Sequence, residues 1–381
     1  MGYGHLETTK SLGLYYDWGV ERFPRVERLP RHRYYSLVHD IIKKYDRRAL
    51  ILGDRFPSFY YPEVVRACVP YVDAVSCNLK ASWNDGTFTR FSLDTLHALS
   101  GKPLIVGEFY LCARDNRSGN KNSHGMYPMT ATQKERGLGF RNTILSLVGV
   151  PWIIGADWFQ YYDQPTHGRF DGENFNFGLV DINDRPYEAL ASVASTLDLA
   201  GSKTRPLRAR KDVSHGVPPA PRDPFNEFEL SSAFLHWDRE RGFVKPVSEL
   251  PLADLYVCWN KRAVYLGLYA QDVVEDVFYK GNTVLSSDRS EWIISIKGLP
   301  KPIRGRIGSG MEPVVDEPTV RLMNLSGING NTRNIAGMEI PAMLFGQDRF
   351  KSGDAIEFAS VFFTHGRAYR VDWKGRYLLS K

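Results

Sequence analysis

The sequence predicts a protein of mixed class, α/β followed by all-β: part of a (β/α)8 TIM barrel in the first half and an antiparallel β-sandwich in the second. Apolar strands alternate with helix-like segments up to about residue 200, and short alternating strands with turn residues dominate beyond residue 226. A Lys-, Arg- and Pro-rich stretch separates the two regions. A length of 381 residues also suits two domains better than one.

The first half alternates regularly between helices and strands. It begins with a helix at 34–45, where Leu37, Val38, Ile41 and Ile42 recur at helical spacing. The elements that follow are a strand at 49–53, a helix at 62–69, a strand at 74–77, a helix at 93–99, a strand at 103–109, a helix at 132–148, a strand at 152–158 and a helix at 186–199. Continuous apolar strands between helices are typical of a parallel sheet covered on both faces.

Polar or amphipathic residues follow each of these strands directly. They are Asp54 with Arg55, Asn78, Glu108, and Trp158 with Gln160. In a (β/α)8 barrel the active site is built at the C-terminal ends of the strands, so this placement favours a barrel. A flavodoxin-like open sheet is the alternative, because it also binds ligands at strand ends, but the sequence has no phosphate-cradling glycine loop.

The second half predicts a β-sandwich. Its clearest strands are at 254–259, 263–269, 291–296 and 355–363, with turn residues between them. The expected boundaries are a barrel part at 1–205, a linker at 206–225 and a sandwich at 226–381. Because the Pro-rich linker predicts few contacts between the parts, we expect residues 220–381 to fold alone.

Glu108 is the strongest candidate for a catalytic residue. An ionisable side chain near the end of the apolar strand Leu-Ile-Val-Gly-Glu requires a partner or a function. A retaining glycosidase uses one carboxylate as nucleophile and a second carboxylic acid, about 5–5.5 Å away, to protonate the leaving oxygen. Glu108 can supply one of these groups; the structural alternative is an ion pair with an arginine at the rim of the sheet.

A polar and aromatic loop follows the last strand. Residues 156–178 combine carboxylates, amides and one arginine with seven aromatic side chains. Such a mixture suits sugars, whose hydroxyls need hydrogen bonds and whose ring faces pack on aromatic rings. A solvated loop without function is the alternative interpretation.

Charge and hydropathy exclude two other classes of protein. The formal charge of +6 is spread over short Lys/Arg pairs and forms no basic block, so nucleic-acid binding is not expected. No run of eighteen apolar residues occurs, so no membrane span is expected. The N-terminus lacks the basic and apolar segments of a secretory signal, and localisation cannot be inferred from it.

No metal or other cofactor is predicted. Cys68, Cys77, Cys112 and Cys258 have no metal-like spacing and suit free buried thiols. The histidines in the polar loops, His124 and His167, have no second ligand at metal spacing.

Taken together, the strand motifs resemble β-agarase-like glycoside hydrolases of the retaining (β/α)8 clan, which also includes β-galactosidases. The matching phrases are Ala-Leu-Ile-Leu-Gly-Asp-Arg-Phe at 49–56, Pro-Leu-Ile-Val-Gly-Glu-Phe at 103–109, Gly-Ala-Asp-Trp-Phe-Gln-Tyr-Tyr-Asp-Gln-Pro at 155–165, Gly-Arg at 168–169 and Gly-Glu-Asn-Phe-Asn-Phe-Gly at 172–178. The resemblance covers residues 33–200 and implies that this region corresponds to about strands 4–8 of the barrel. It also implies a secreted or periplasmic location.

The resemblance implies roles for particular residues. Glu108 would end strand seven as the nucleophile, and Trp158 would end strand eight as a sugar platform. The remaining residues expected to bind substrate or to support the site are Arg55, Asn78, Tyr110, Gln160, Asp163, Arg169 and Glu173.

The second half separately resembles β-sandwich carbohydrate-binding modules attached to xylanases and related enzymes. The matching phrases lie at 253–259, 263–268, 338–341 and 353–358. The resemblance implies that aromatic rings hold sugar ends. The tryptophans that qualify are Trp237, Trp259, Trp292 and Trp373, with core packing as the alternative for each.

The acid/base is the point at which the sequence departs from the family pattern. The family places it after strand four, as the Glu of an Asn-Glu pair, and the segment 12–21 is similar to that strand. Aligned on Leu12-Gly13 and Asp17, the pair falls on Trp18-Gly19, and Glu21 follows two residues later. Glu21 is therefore the candidate acid/base, but a shift of two residues redirects a side chain and favours a fragment or a non-hydrolytic relative.

These observations leave three hypotheses open. The first is a retaining hydrolase of a β-linked, galactose-containing polysaccharide or oligosaccharide. The second is a degenerate or non-catalytic glycan-binding protein, or an incomplete fragment of such a hydrolase. The third is a different α/β enzyme that uses Glu108 as a general base. Because only four barrel strands are clear, we expect an N-terminal barrel segment outside this sequence to complete the fold.

Overall fold

A computed structural model describes residues 28–56, 60, 62–123, 127–199, 212–225, 233–271, 290–307, 312–324, 333–364 and 369–381. Glu21, the strand expected near residue 12 and His124 lie outside the described residues. The predicted mixture is confirmed at the level of class: a parallel sheet with helices precedes two antiparallel sheets.

The first part contains five helices and six strands among the described residues. The helices are α1 (Arg28–Tyr45), α2 (Pro62–Cys68), α3 (Phe91–Ser100), α4 (Gln133–Val148) and α5 (Glu188–Thr196). The strands are β1 (Arg55–Phe56), β2 (Val75–Lys80), β3 (Leu104–Tyr110), β4 (Cys112–Ala113), β5 (Met129–Thr130) and β6 (Ile153–Trp158).

Four of these strands form one sheet in the order β1-β2-β3-β6, with all neighbours parallel. The carboxyl ends of the four strands therefore meet at one edge of the sheet. Cores of leucine, valine and phenylalanine side chains, including Leu104 and Val106, lie under the helices. The arrangement brings the residues that follow each strand together, as the strand-end pattern predicts.

The first strand differs from the prediction. Residues 49–53 are extended but join no ladder, and the strand begins only at Arg55. The backbone of Ile51 is instead bonded to Asp73: its N–H donates to Asp73 Oδ2 over 2.8 Å, and its carbonyl accepts from the Asp73 N–H over 2.7 Å. Gly53 then adopts a φ of +69°, a left-handed bend that ends the extended segment.

Helix α4 is stabilised by a cap at its N-terminus and packs closely against the segment that follows β3. Thr132 and Glu135 form a capping box, in which the Glu135 N–H donates to Thr132 Oγ1 over 3.2 Å and the Thr132 N–H donates to Glu135 Oε2 over 3.0 Å. A side chain at Gly139 would meet Leu111 at 2.2 Å, so glycine is required for this approach to the sheet. The helix thereby holds the segments that follow β3 and β6.

The second part is a sandwich of two five-stranded antiparallel sheets, with orders β12-β11-β10-β15-β16 and β13-β14-β9-β8-β7. Its strands are β7 (Phe243–Val244), β8 (Ala253–Trp259), β9 (Ala263–Gln271), β10 (Ser290–Ile296), β11 (Ile303–Ile307), β12 (Val314–Val315), β13 (Arg321–Asn324), β14 (Arg333–Pro341), β15 (Ala355–Thr364) and β16 (Tyr369–Leu378). Leu266 and Met338 from one sheet pack with Trp292 and Phe362 from the other.

The four tryptophans that were candidates for sugar binding are core residues. Trp237, Trp259, Trp292 and Trp373 are all buried. The Trp292 indole donates to Ser360 Oγ over 2.8 Å, and the Trp259 indole donates to the carbonyls of Val217 and Ser380. Core packing, the alternative given for each of these tryptophans, is therefore what the structure shows.

Residues 212–225, inside the predicted linker, pack against the sandwich. Val213 and Val217 belong to its core. The Val217 N–H donates to the Leu378 carbonyl over 2.7 Å, and the Ala220 N–H donates to the Trp259 carbonyl over 2.6 Å. This stretch therefore extends the sandwich by one irregular segment.

The two parts also contact each other more closely than the sequence predicts. Trp83, in the loop that follows β2, is 2% exposed and packs edge-on against Tyr256 and Tyr269 of the sandwich. Its indole donates to the Ala233 carbonyl over 2.6 Å, and the Arg239 guanidinium lies 3.7 Å from its ring centroid. The expected scarcity of crossing contacts is therefore not observed, and a sheet face that would otherwise be open is covered by Trp83.

Candidate active site

Glu108 lies in β3, beside Asn78 of β2. A register shift between Cys77 and Asn78 pairs Asn78 with Glu108 rather than with Gly107. A Cβ at Gly107 would lie 2.8 Å from Ser76 Oγ, so a larger residue there would displace the Ser76 side chain. The irregular register thus puts an amide and a carboxylate next to each other at the carboxyl edge of the sheet.

Two side chains hold the Glu108 carboxylate. Arg55 Nη1 donates to Glu108 Oε2 over 2.5 Å, and Asn78 is paired with Glu108 across β2 and β3, where its side chain favours the ionised carboxylate. The Glu108 side chain is 13% exposed, whereas that of Arg55 is 57% exposed. The Glu108 side chain is therefore largely enclosed, whereas the Arg55 side chain beside it is open to solvent.

Burial raises the pKa of Glu108 above its ordinary value. The Arg55 guanidinium opposes this increase, nearby Glu173 adds to it, and the hydrogen bond from Asn78 and the charge of Lys80 oppose it. Burial therefore makes Glu108 costly to ionise, while Arg55, Asn78 and Lys80 favour its ionised form. Carboxyl groups with such opposed influences are common at catalytic sites.

The loop after β6 contributes the second carboxylate, Glu173. Its Oε1 accepts from the Tyr127 hydroxyl over 2.7 Å, and its Oε2 accepts from Gln164 Nε2 over 2.7 Å. Arg169 Nη1 lies 3.6 Å from Glu173 Oε2. Glu173 therefore accepts hydrogen bonds at both carboxylate oxygens and fixes the Tyr127 hydroxyl.

Trp158 ends β6 with its ring held in place. Its indole donates to the Phe177 carbonyl over 2.8 Å, and its ring packs edge-on against Phe109 and Phe140 at 5.2 and 5.4 Å. The residue is half-buried. Gln160, two residues later, is also half-buried and donates from Nε2 to the Tyr162 carbonyl.

Tyr110 and Asp163 lie deeper than predicted. Tyr110 is 5% exposed, and its ring packs against Tyr127 and Phe177. Asp163 is 1% exposed, and it accepts from the hydroxyls of Ser118 and Tyr187 over 2.6 Å each. Both residues were expected to bind substrate or to support the site; because other protein groups enclose them, their position suits support better than direct contact with substrate.

Asp163 instead organises the loop. Its Oδ1 accepts from the Gly178 N–H over 2.9 Å, and the charge of Arg136 acts on it. Arg136 is completely buried in α4 and donates to the carbonyls of Leu111 and Gly178 over 2.8 Å each. Asp163 and Arg136 together connect the segment that follows Tyr110, the last residue of β3, with the segment that follows Trp158, the last residue of β6.

We expect Asp163→Asn to lower the free energy of unfolding by about 1–3 kcal/mol, because a charged acceptor of three hydrogen bonds is replaced by a neutral group. Urea denaturation at neutral pH measures the change. Asp157→Asn, an exposed aspartate of the same strand region, is the matched control. A loss below 0.5 kcal/mol in Asp163→Asn would contradict the bracing role.

Three further residues of the site were missed. Lys80 ends β2 with its ammonium 4.7 Å from the Tyr127 ring centroid, and Tyr127 and Arg136 have the contacts given above. Lys80 follows Asn78 by two residues, and residues two apart on a strand lie on the same face. This spacing could have placed Lys80 beside Asn78 at the carboxyl end of β2. Nothing in the local sequence marks Tyr127 or Arg136, because their partners lie far away along the chain.

The described residues contain no group of three His, Cys, Asp or Glu side chains that could hold a metal ion. Within the same ranges, no helix is both long and apolar enough to cross a bilayer.

Comparison with known proteins gives similarity to agarases. The chain is 37% identical over 164 residues to β-agarase B of Vibrio sp. (strain JT0107), and 33% identical over 165 residues to β-agarase A of the same organism. Each match covers 42% of this chain and 16% of the agarase. The chain thus spans about a sixth of the length of these curated relatives. The resemblance inferred from the strand motifs is confirmed.

Solved structures also share similarity with parts of the chain. A crystal structure of an agarase is 32% identical and has a TM-score of 0.42, with 47% of this chain and 27% of that chain covered. A family 9 carbohydrate-binding module from Caldicellulosiruptor kristjanssonii in complex with cellotriose is 13% identical with a TM-score of 0.27, covering 45% of this chain and 94% of that chain. No family model matches the chain.

Proposed function

We propose that this chain is part of a retaining glycoside hydrolase that acts on a β-linked, galactose-containing polysaccharide of the agarose type. The observation that carries the proposal is Glu108, an enclosed carboxylate held by Arg55 and Asn78 at the carboxyl edge of a parallel sheet. The identity to two β-agarases supports agarose-type substrates.

In the proposed mechanism Glu108 is the nucleophile. Its carboxylate attacks the anomeric carbon of the sugar, the glycosidic C–O bond breaks, and a carboxylic acid gives its proton to the leaving oxygen. Water, deprotonated by the same acid/base, then releases the sugar from the Glu108 ester. Arg55 and Asn78 favour the ionised form of Glu108 that the first step needs.

Substrate recognition would use the groups around Glu108. Asn78 is half-buried beside Glu108, and its side-chain amide is the kind of group that bonds a sugar hydroxyl. Trp158, Gln160, Arg169 and Glu173 would supply further contacts with the substrate, whereas the enclosed Tyr110 and Asp163 would support the site from below. Glu21 is the proposed acid/base. It lies two residues beyond the position at which the family pattern places the Glu of the Asn-Glu pair.

We further propose that the first part corresponds to about strands 4–8 of a (β/α)8 barrel. Strand β6 pairs only with β3 among the described strands, and its Ile154 is 58% exposed. Helix α1 exposes an apolar stripe that consists of Tyr34, Leu37, Val38, Ile41 and Tyr45. An open edge and an exposed apolar stripe are what additional βα units would cover.

The second candidate function is glycan binding without cleavage. It is favoured by the position of the expected Asn-Glu pair, which is occupied by Trp18-Gly19. The two candidates differ in covalent chemistry: only a hydrolase forms a glycosyl ester on Glu108.

The deciding experiment is incubation of the full chain with an activated 2-deoxy-2-fluoro-galactoside, followed by peptide mass spectrometry. A retaining hydrolase gains one sugar mass on the peptide that carries Glu108, because the fluorine slows release of the ester. Calorimetric titration with agarose oligosaccharides is run in parallel. Binding without labelling favours the second candidate; neither binding nor labelling refutes both.

The acid limb of kcat/KM is expected to lie above pH 4.5, the ordinary pKa of a glutamic acid, because turnover needs ionised Glu108 and burial raises its pKa. In Arg55→Met the limb moves to still higher pH, since the removed guanidinium lowers the pKa of Glu108. The control is Arg114→Met, in the same part of the chain. An acid limb that moves to lower pH in Arg55→Met would be incompatible with Glu108 as the nucleophile.

A further inference from the structure

The loop after β6 ends in a tight turn between two glycines. Gly168 and Gly172 have φ values of +85° and +88°, a region that favours glycine. The Arg169 N–H donates to the Glu173 carbonyl over 2.8 Å, and the Gly172 N–H donates to the Arg169 carbonyl over 2.9 Å. The turn is therefore closed by its own backbone hydrogen bonds.

Phe170 lies at the apex of this turn and is 92% exposed, the highest value of any large apolar side chain among the described residues. The Arg169 guanidinium lies 5.8 Å from its ring centroid. Arg169 is itself fixed by ion pairs with Asp171 at 2.5 Å and Glu173 at 3.6 Å. One face of an aromatic ring is thus backed by a fixed cation, while the ring remains open to solvent.

The turn is connected to the candidate active site through Glu173. Glu173 accepts from Tyr127 and Gln164, and its charge acts on Glu108. The turn that carries Phe170 therefore shares Arg169 and Glu173 with the candidate site, whereas Phe170 is not among the groups that act on Glu108.

We propose that Phe170 is a sugar-stacking platform of an outer subsite, which binds a galactan ring several residues away from the bond that is cleaved. The inference rests on the proposed function. A pyranose ring presents an apolar C–H face to an aromatic ring and hydroxyls at its rim. Arg169 and Asp171 lie beside Phe170 in the turn and offer hydrogen-bond donors and acceptors to those hydroxyls.

The geometry also explains why the exposure is tolerated. A closed turn holds the ring without a ligand, so stacking costs little conformational entropy. A platform of this kind contributes to affinity only when the ligand is long enough to reach it.

The test compares short and long agarose oligosaccharides, a disaccharide and an octasaccharide, by calorimetric titration of the full chain. Phe170→Ala is expected to weaken octasaccharide binding about two- to tenfold and to leave disaccharide binding within twofold. Phe170→Trp keeps the platform and restores octasaccharide affinity. Tyr45→Ala, another highly exposed aromatic residue, is the matched control and changes neither affinity.

The outcomes separate this inference from the proposed function. If the unchanged chain binds both oligosaccharides and Phe170→Ala binds them as tightly, the platform is refuted and the proposed function stands. Equal weakening of both ligands also refutes an outer subsite, because Phe170 would then act at the central site. If the unchanged chain binds neither oligosaccharide, both proposals fail.

Discussion

Glu108→Gln is expected to reduce turnover of a β-linked galactan by three or more orders of magnitude, while the affinity for oligosaccharide stays within about threefold. Glutamine keeps the shape of the side chain and can still bond Arg55 only through its carbonyl, but it cannot form the glycosyl ester. Steady-state kinetics with an agarose oligosaccharide, together with calorimetric titration, measures both quantities.

The control for this variant is Glu240→Gln, which neutralises an exposed glutamate of the sandwich. It should leave turnover and affinity unchanged. Retention of most of the activity in Glu108→Gln would remove Glu108 from the mechanism, whatever the substrate.

Trp83→Ala is expected to have the largest effect on stability, a loss of about 3–5 kcal/mol in the free energy of unfolding. The substitution removes a fully enclosed ring, its hydrogen bond to Ala233 and its contact with Arg239 at once. Urea denaturation should also separate into two transitions, because Trp83 connects the two parts of the chain.

Trp83→Phe is the graded control, since it keeps a ring but loses the indole N–H. Its expected loss lies between those of the unchanged chain and Trp83→Ala. If Trp83→Ala unfolds in a single transition with less than 1 kcal/mol lost, the contact between the two parts is not an energetic link.

Much of the fold could be predicted from local pattern. Strands such as Leu104–Tyr110 are apolar apart from Glu108, and helices such as α4 carry a capping box, so period and caps identify them without tertiary information. Strand β1 was misplaced because its apolar run, residues 49–53, satisfies its backbone through Asp73, a partner that only the folded chain brings near.

The candidate site was predictable where strand ends determine it. Glu108, Asn78 and Arg55 meet because the sheet is parallel, which the strand pattern already indicates. Burial was not predictable in the same way: Asp163 stands in a loop that looks like a sugar-binding surface, yet Ser118 and Tyr187 enclose it. Loop sequences carry composition but little information on which side chains point inward.

The covered face of the sandwich had one local signal. All seven residues of β8 are buried, whereas a strand with one solvated face should alternate. Tyr256 and Cys258 look outward from the sandwich core and are nevertheless enclosed, together with Trp83 and Phe91. A strand without alternation in an antiparallel sheet therefore indicates a third layer.

The third layer, in which Trp83 and Phe91 cover Tyr256 and Cys258, makes the sandwich depend on the first part of the chain. This dependence limits the transfer of the sandwich to other proteins during evolution. A domain can be transferred between proteins by recombination when it is joined to its neighbour only through a linker, since any fusion then leaves both units intact. In this chain, transfer of the sandwich alone would expose the tyrosines that pack around Trp83. The resulting fusion protein would carry an exposed apolar patch that favours aggregation. The sandwich and the loop after β2 are thus expected to be inherited as a pair, and related sequences should keep or lose Trp83 and Arg239 together.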